Sequence, residues 1–164
     1  MVRQKGTKLP SYYEKEEVLA IENAVCRSSC KGKRDYAMIL LASRLGLRGS
    51  DIVNLNLNNL DWENNVIRLT QQKTGQEVIL PLLTEVGNAL AEYLRYVRPQ
   101  SNIKTVFLSL SPPIRPLSIG TFRCILVEYF REAGVKFQEK HHGPHSLRPV
   151  SYTHLRAHET ELHL

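Results

Sequence analysis

Val66-Ile67-Arg68-Leu69-Thr70-Gln71-Gln72-Lys73-Thr74-Gly75-Gln76-Glu77-Val78-Ile79-Leu80 is the stretch where a helical chain changes its period. Val66, Ile67 and Leu69 make one β-like run, and Val78, Ile79 and Leu80 make another. Between them Lys73-Thr74-Gly75-Gln76 supplies turn chemistry, so the stretch predicts an antiparallel hairpin with a lysine at its tip. Downstream, Val86, Ala89, Leu90, Tyr93, Leu94 and Val97 return to helical spacing, with Thr84 as the expected cap and Pro99 as the stop. Upstream, Val18, Ile21, Ala24 and Val25 predict a helix from about Glu14 to Arg27. A polar break at Gly32 follows. A second helix is expected from about Lys33 to Leu45, closed by Gly46, then a short third one capped by Ser50 through Ile52, Val53 and Leu55.

Further on, Val106-Phe107-Leu108 reads as a short buried segment and Ser111 to Pro116 as a loop. A last helix is expected from a Ser118 cap, burying Ile119, Phe122, Ile125, Leu126, Tyr129 and Phe130 and ending at Gly134. There is no internal repeat. The predicted class is mainly α with a small antiparallel β-sheet.

A length of 164 residues fits one domain with a proper core, and shares of 42% apolar and 23% charged residues are ordinary for a globular chain. No stretch approaches the length of a membrane span and no charged-then-apolar leader opens the chain, so we read it as cytoplasmic. Cys26, Cys30 and Cys124 are too few for a disulfide framework, and no second ligand pair completes a zinc site. They are expected to be small buried or half-buried side chains, and no metal is expected. The excess of 22 basic over 16 acidic residues gives a formal charge of +6, which favours a polyanionic partner without specifying one.

Four polar residues stand out. Arg48 lies at the junction of two apolar helices, in Leu45-Gly46-Leu47-Arg48-Gly49-Ser50-Asp51, and Lys73 sits on the hairpin turn. His145 and Arg148 are three apart, a spacing that puts both on one face of a helical turn. Each has a plain alternative. Arg48 could neutralise the end of the preceding helix, Lys73 could be a solvated charge, and a His-x-x-Arg pair is common by chance. Their combination and order carry the weight.

That combination resembles the tyrosine recombinase (phage integrase) family. The matching segments are Gly-Leu-Arg-x-Ser-Asp at 46–51, Lys-Thr-Gly at 73–75 and Gly-Pro-His-Ser-Leu-Arg at 143–148, with Lys8-Leu9-Pro10 and the acidic helix after it. The resemblance covers roughly residues 8–148 and implies a catalytic domain for site-specific DNA recombination or integration. In that chemistry a tyrosine oxygen attacks the scissile phosphate, forms a 3′-phosphotyrosyl link and expels a 5′-hydroxyl. By resemblance Arg48 and Arg148 clamp the non-bridging oxygens, as guanidinium forks suit. His145 bonds the same phosphate, Lys73 is the general acid, and Asp51 orients Arg48 or His145 from behind. The resemblance implies no cofactor. It implies double-stranded DNA as partner, and a homotetramer on DNA for the intact parent.

The match fails after Arg148. Pro149 disfavours helix at Arg148 itself, and Pro149 to Leu164 has no apolar stripe yet holds three of the six histidines. We read 1–12 as the end of a linker from a missing core-binding domain, 13–148 as a partial catalytic domain, and 149–164 as a foreign or artefactual tail. Tyr152 stands only four residues past Arg148, too close to reach in-line attack, so no nucleophile is assigned. His154 and His158 imitate a metal pair and are read as accidental. The expectation is a parent recombinase whose present chain is inactive and monomeric in solution. The alternatives are a non-catalytic DNA-binding integrase relic, or a basic helical scaffold in which these residues do not converge.

Overall fold

The computed structural model describes residues 13–136. Its elements are α1 (Lys15–Ala24), α2 (Cys30–Leu45), α3 (Gly49–Val53), a 3-10 turn (Leu57–Asn59), β1 (Leu60–Asp61), β2 (Val66–Thr70), β3 (Glu77–Pro81), α4 (Thr84–Tyr96) and α5 (Ile119–Glu132). The fold class is as predicted, mainly helical with one antiparallel sheet of order β1-β2-β3. Pairing of Val66 with Pro81 and of Thr70 with Glu77 fixes the hairpin register. Ile67, Leu69 and Leu80 face the core, whereas Arg68, Thr70 and Ile79 face out, the two-residue alternation of a half-buried sheet.

The core is built around α2. Ala37, Met38, Ile39, Leu40, Leu41 and Ala42 are wholly inaccessible, so this stretch of the helix is covered on every side. Val18 and Ile21 of α1, Val86, Leu90 and Tyr93 of α4, and Phe122, Leu126 and Phe130 of α5 complete the same cluster. Fully burying one such side chain is worth roughly 1.5–3 kcal/mol. The segment Val106-Phe107-Leu108 is buried as expected, with Phe107 stacked on Tyr93 at 5.3 Å. The Tyr93 hydroxyl donates to the Val106 carbonyl (2.9 Å) and accepts from the Leu108 amide (3.1 Å), satisfying two buried backbone groups.

Two polar clusters pin α2 to its neighbours. Asp35, fully buried, accepts from Arg34 Nε (3.0 Å) and from the Tyr129 hydroxyl of α5 (2.7 Å). Burial, and then this bond to Asp35, push the Tyr129 phenol above its ordinary value. On the other side Glu22 of α1 accepts from Ser43 Oγ (2.6 Å) and from Arg44 Nη2 (2.9 Å), while Arg44 Nη1 reaches Glu85 of α4 at 3.1 Å. A buried carboxylate is tolerated only when its lone pairs find donors.

Several boundaries differ from the sequence reading, each for a local reason. α1 stops at Ala24, and α2 starts at Cys30, three residues earlier than expected. Gly32 is therefore a first-turn residue and not a break. Ser29 is the cap, its hydroxyl accepting from the Gly32 amide at 2.9 Å. A Cβ on Gly32 would stand 1.7 Å from the Cys26 carbonyl oxygen, so a side chain is excluded there. Leu83, not Thr84, occupies the cap position of α4, and Arg48, not Ser50, that of α3. Ser118 caps α5 as expected, accepting from the Thr121 amide. All three cysteines are exposed, against the expectation of burial.

β3 lies at the edge of the sheet, and its last residue is Pro81. The Leu82 amide donates to the Asn65 carbonyl (2.7 Å), so the amides of alternate residues 78, 80 and 82 point towards β2. The position without an N–H, Pro81, thus falls on the open side.

Gly32→Ala is expected to destabilise the fold by about 1–3 kcal/mol, the usual penalty of overpacking. Urea denaturation checks this, and an unchanged midpoint would contradict the close approach of Cys26.

Candidate functional site

The site starts where α2 ends. Gly46 adopts the left-handed conformation (φ 65°), its amide bonds the Ala42 carbonyl, and the Leu47 amide returns to the Leu41 carbonyl. That pair of bonds stops the helix and reverses the chain. Leu47 is then buried, and Arg48 follows at the cap position of α3, where its carbonyl accepts from the Ile52 amide at 3.0 Å. The backbone of Arg48 is held from both sides before its side chain does anything.

Arg48 makes no direct bond to the end of α2. Backbone amides take the Leu41 and Ala42 carbonyls, and no hydrogen bond joins the guanidinium to the helix. Instead the side chain is half-buried and its Nη1 is fully buried without a hydrogen-bond partner among the described residues. Such an N–H is costly to leave unmet. It is suited to an oxyanion entering from outside, because guanidinium donors match phosphate geometry.

Asp51 lies on the same short helix and is buried. Its Oδ1 accepts from the Gln72 amide at 2.9 Å, and its Oδ2 is buried without a partner among the described residues. No hydrogen bond joins it to Arg48. The contact made by Asp51 is with the hairpin, one residue before Lys73. The sequence reading missed this link, because nothing local relates a carboxylate to an amide 21 positions away.

The hairpin tip is itself well ordered by hydrogen bonds. The Gln71 amide donates to the Gln76 carbonyl and the Gly75 amide to the Gln71 carbonyl, both at 2.9 Å. Thr74 Oγ1 donates to Gln71 Oε1 (2.8 Å), and Gly75 takes the left-handed conformation (φ 68°) that closing the turn requires. Lys73 projects from this frame, exposed and without an ion pair among the described residues. The structure thus ties Asp51, three residues after Arg48 in the chain, to the turn that carries Lys73. His145 and Arg148 lie outside the described residues, as do Tyr152, His154 and His158. Among the described residues no group of acidic, histidine or cysteine side chains has the makings of a metal site, and no helix is long and apolar enough to cross a membrane.

This geometry can be set against known proteins. Residues 12–164 match the phage integrase family, a span that includes 149–164. The chain belongs to that family, the tyrosine recombinases. The y4gC protein of Sinorhizobium fredii is 32% identical over 148 residues, covering 90% of this chain and 76% of its own length. Tyrosine recombinase XerD of Staphylococcus aureus is 33% identical over 151 residues, with 90% of this chain and 50% of XerD covered. Among solved structures, a lambda integrase tetramer bound to a Holliday junction superposes with a TM-score of 0.64 at 20% identity, over 89% of this chain and 43% of that one. The chain thus spans about half the length of XerD, and the structural likeness bears on the fold alone.

Asp51→Ala is expected to speed hydrogen exchange at the Gln72 amide and to lower stability by about 1–3 kcal/mol, as for a lost bond to a charged group. Asp51→Asn keeps an acceptor oxygen and should leave that exchange slow. Equal exchange in the native protein and Asp51→Ala would show that the tether does not form.

Proposed function

We propose that residues 13–148 are the catalytic core of a site-specific DNA recombinase acting by phosphoryl transfer through a 3′-phosphotyrosyl intermediate. The observation that carries this reading is the Nη1 of Arg48, buried without a partner among the described residues, on the short segment whose Asp51 tethers the Lys73 turn. Family membership supplies the reaction class.

In this reading Arg48 and Arg148 hold the non-bridging oxygens of the scissile phosphate, where negative charge gathers as the fifth oxygen approaches. The tyrosine oxygen forms the new P–O bond, the bond to the 5′-oxygen breaks, and Lys73 gives that oxygen its proton. His145 hydrogen-bonds the same phosphate. Asp51 acts through the hairpin, setting the height of Lys73 over the site. The covalent link keeps the phosphodiester energy for rejoining, so neither a metal nor a nucleotide is required.

Double-stranded DNA is the proposed partner. The excess of basic residues supports it, and so does membership of the recombinase family. A tetramer on DNA is the proposed assembly of the intact protein, with the 164-residue chain monomeric by itself. No tyrosine here is assigned as nucleophile, so this chain is proposed to bind DNA and not to cut it.

Fluorescence anisotropy on a duplex oligonucleotide tests the partner. Affinity should fall steeply with salt, and Arg48→Ala and Lys73→Ala should each reduce the slope of log K against log salt by about 0.9, one phosphate contact apiece. Salt-independent or absent binding would overturn the DNA reading. A nicked suicide substrate tests the chemistry separately. The expected result is no covalent adduct, and an adduct mapping to Tyr152 would overturn the assignment of no nucleophile.

A further inference from the structure

Arg98, half-buried just past the end of α4, makes no ion pair among the described residues and binds backbone instead. Its Nε donates to the Val106 carbonyl (3.1 Å), and its Nη2 donates to the carbonyls of Ile103 (2.6 Å) and Thr105 (2.9 Å). The Lys104 carbonyl between them accepts from the Leu57 amide at 2.9 Å. All four carbonyls from 103 to 106 are thus engaged, three of them by one guanidinium. A planar fork whose donors point in fixed directions suits such a set better than a flexible ammonium does. Residues 103–106 belong to none of the helices or strands, so Arg98 gives this strap the shape that a regular element would otherwise impose.

On its other side the strap meets the chain leaving α3. The Val106 amide donates to the Leu55 carbonyl at 2.8 Å. That bond and the one from Leu57 to Lys104 enclose an antiparallel bridge between Asn56 and Thr105. Leu55 and Asn54 then close the end of α3. The Leu55 amide donates to the Ile52 carbonyl (3.2 Å), while the Asn54 amide and its Nδ2 both donate to the Ser50 carbonyl (3.2 and 2.7 Å). α3 has only five residues, and a helix that short has no stability of its own. Buried Ile52 and Val53 set its depth in the core, and the hydrogen bonds at its two ends set its place along its axis. Arg48 caps one of those ends, and Asp51 reaches from the same helix to the Gln72 amide.

We propose that Arg98 is a positioning residue for Arg48. It shapes the 103–106 strap, the strap holds residues 55–57, and these hold α3 where Arg48 presents its guanidinium to a phosphate and Asp51 reaches the Lys73 turn. Arg98 acts through this series of backbone bonds and touches neither DNA nor Arg48.

This role rests on the reading of Arg48 as a phosphate ligand, so the test has two arms. Amide exchange followed by NMR on the 164-residue protein reads the bonds themselves. In Arg98→Ala the Leu57, Val106 and Gln72 amides should exchange severalfold faster, and the Leu80 amide of β3 should keep its native rate. Arg98→Lys, which keeps the charge without the fork, should fall between. An unchanged rate at Gln72, or equal acceleration at Leu80, would overturn the proposal. Anisotropy on a duplex oligonucleotide reads the consequence. Arg98→Ala should lower the slope of log K against log salt as Arg48→Ala does, by about 0.9 for one phosphate contact. The double variant should lose no more slope than either alone. An additive loss would mean that Arg98 meets DNA by itself, and a native slope in Arg98→Ala would mean that Arg48 does not depend on it; either overturns the proposal. Salt-independent binding by the unaltered chain would instead sink the phosphate reading of Arg48, and the exchange arm would still judge whether Arg98 holds α3.

Discussion

A helical stretch that is apolar all round has to be surrounded, and the middle of α2 imposes that condition on its neighbours. Six consecutive residues, Ala37 to Ala42, see no solvent. α1, α4 and α5 are positioned by the need to cover them, and the hydrophobic gain of doing so dominates the packing. Such a surface is nearly featureless, however, and would let its covering helices slide and rotate. The buried Asp35–Tyr129 bond and the Glu22–Ser43–Arg44–Glu85 cluster supply the missing direction, because a hydrogen bond tolerates far less displacement than an apolar contact.

The candidate site inherits its rigidity from the same helix. Gly46 ends α2 at the surface of the core, so Arg48 emerges from fixed backbone with only its side chain left to adjust. In the proposed chemistry, a charge-stabilising group held in place beforehand needs no reorganisation during reaction. Asp51 extends the same frame to a turn that would otherwise depend only on its own hydrogen bonds.

Much of this was legible in the sequence, and the failures have a common cause. The hairpin, the α4 and α5 stripes, the Gly46 stop and the Ser118 cap are all local patterns, and all are present in the fold. Gly32 misled because a glycine next to polar residues reads as a break, whereas its actual reason is the carbonyl of Cys26 pressed against it. Thr84 and Ser50 are favourable cap types, yet the chain enters its helices one and two residues earlier, at Leu83 and Arg48. The two-residue strand β1 is too short for any period to show. The Asp51–Gln72 and Asp35–Tyr129 bonds join residues 21 and 94 positions apart, so only the three-dimensional fold reveals them.

Pro81 has a meaning beyond its place in the register. A sheet edge presents unpaired amides and carbonyls that another chain can extend by adding a strand of its own. On β3 that edge includes Ile79, 54% exposed, which would welcome a neighbour. The residue two places further on offers no N–H to the open side, so a docking strand meets a gap in the ladder where it would seek its next bond. A single proline thus makes the open edge of the hairpin that carries Lys73 a poor template for an added strand.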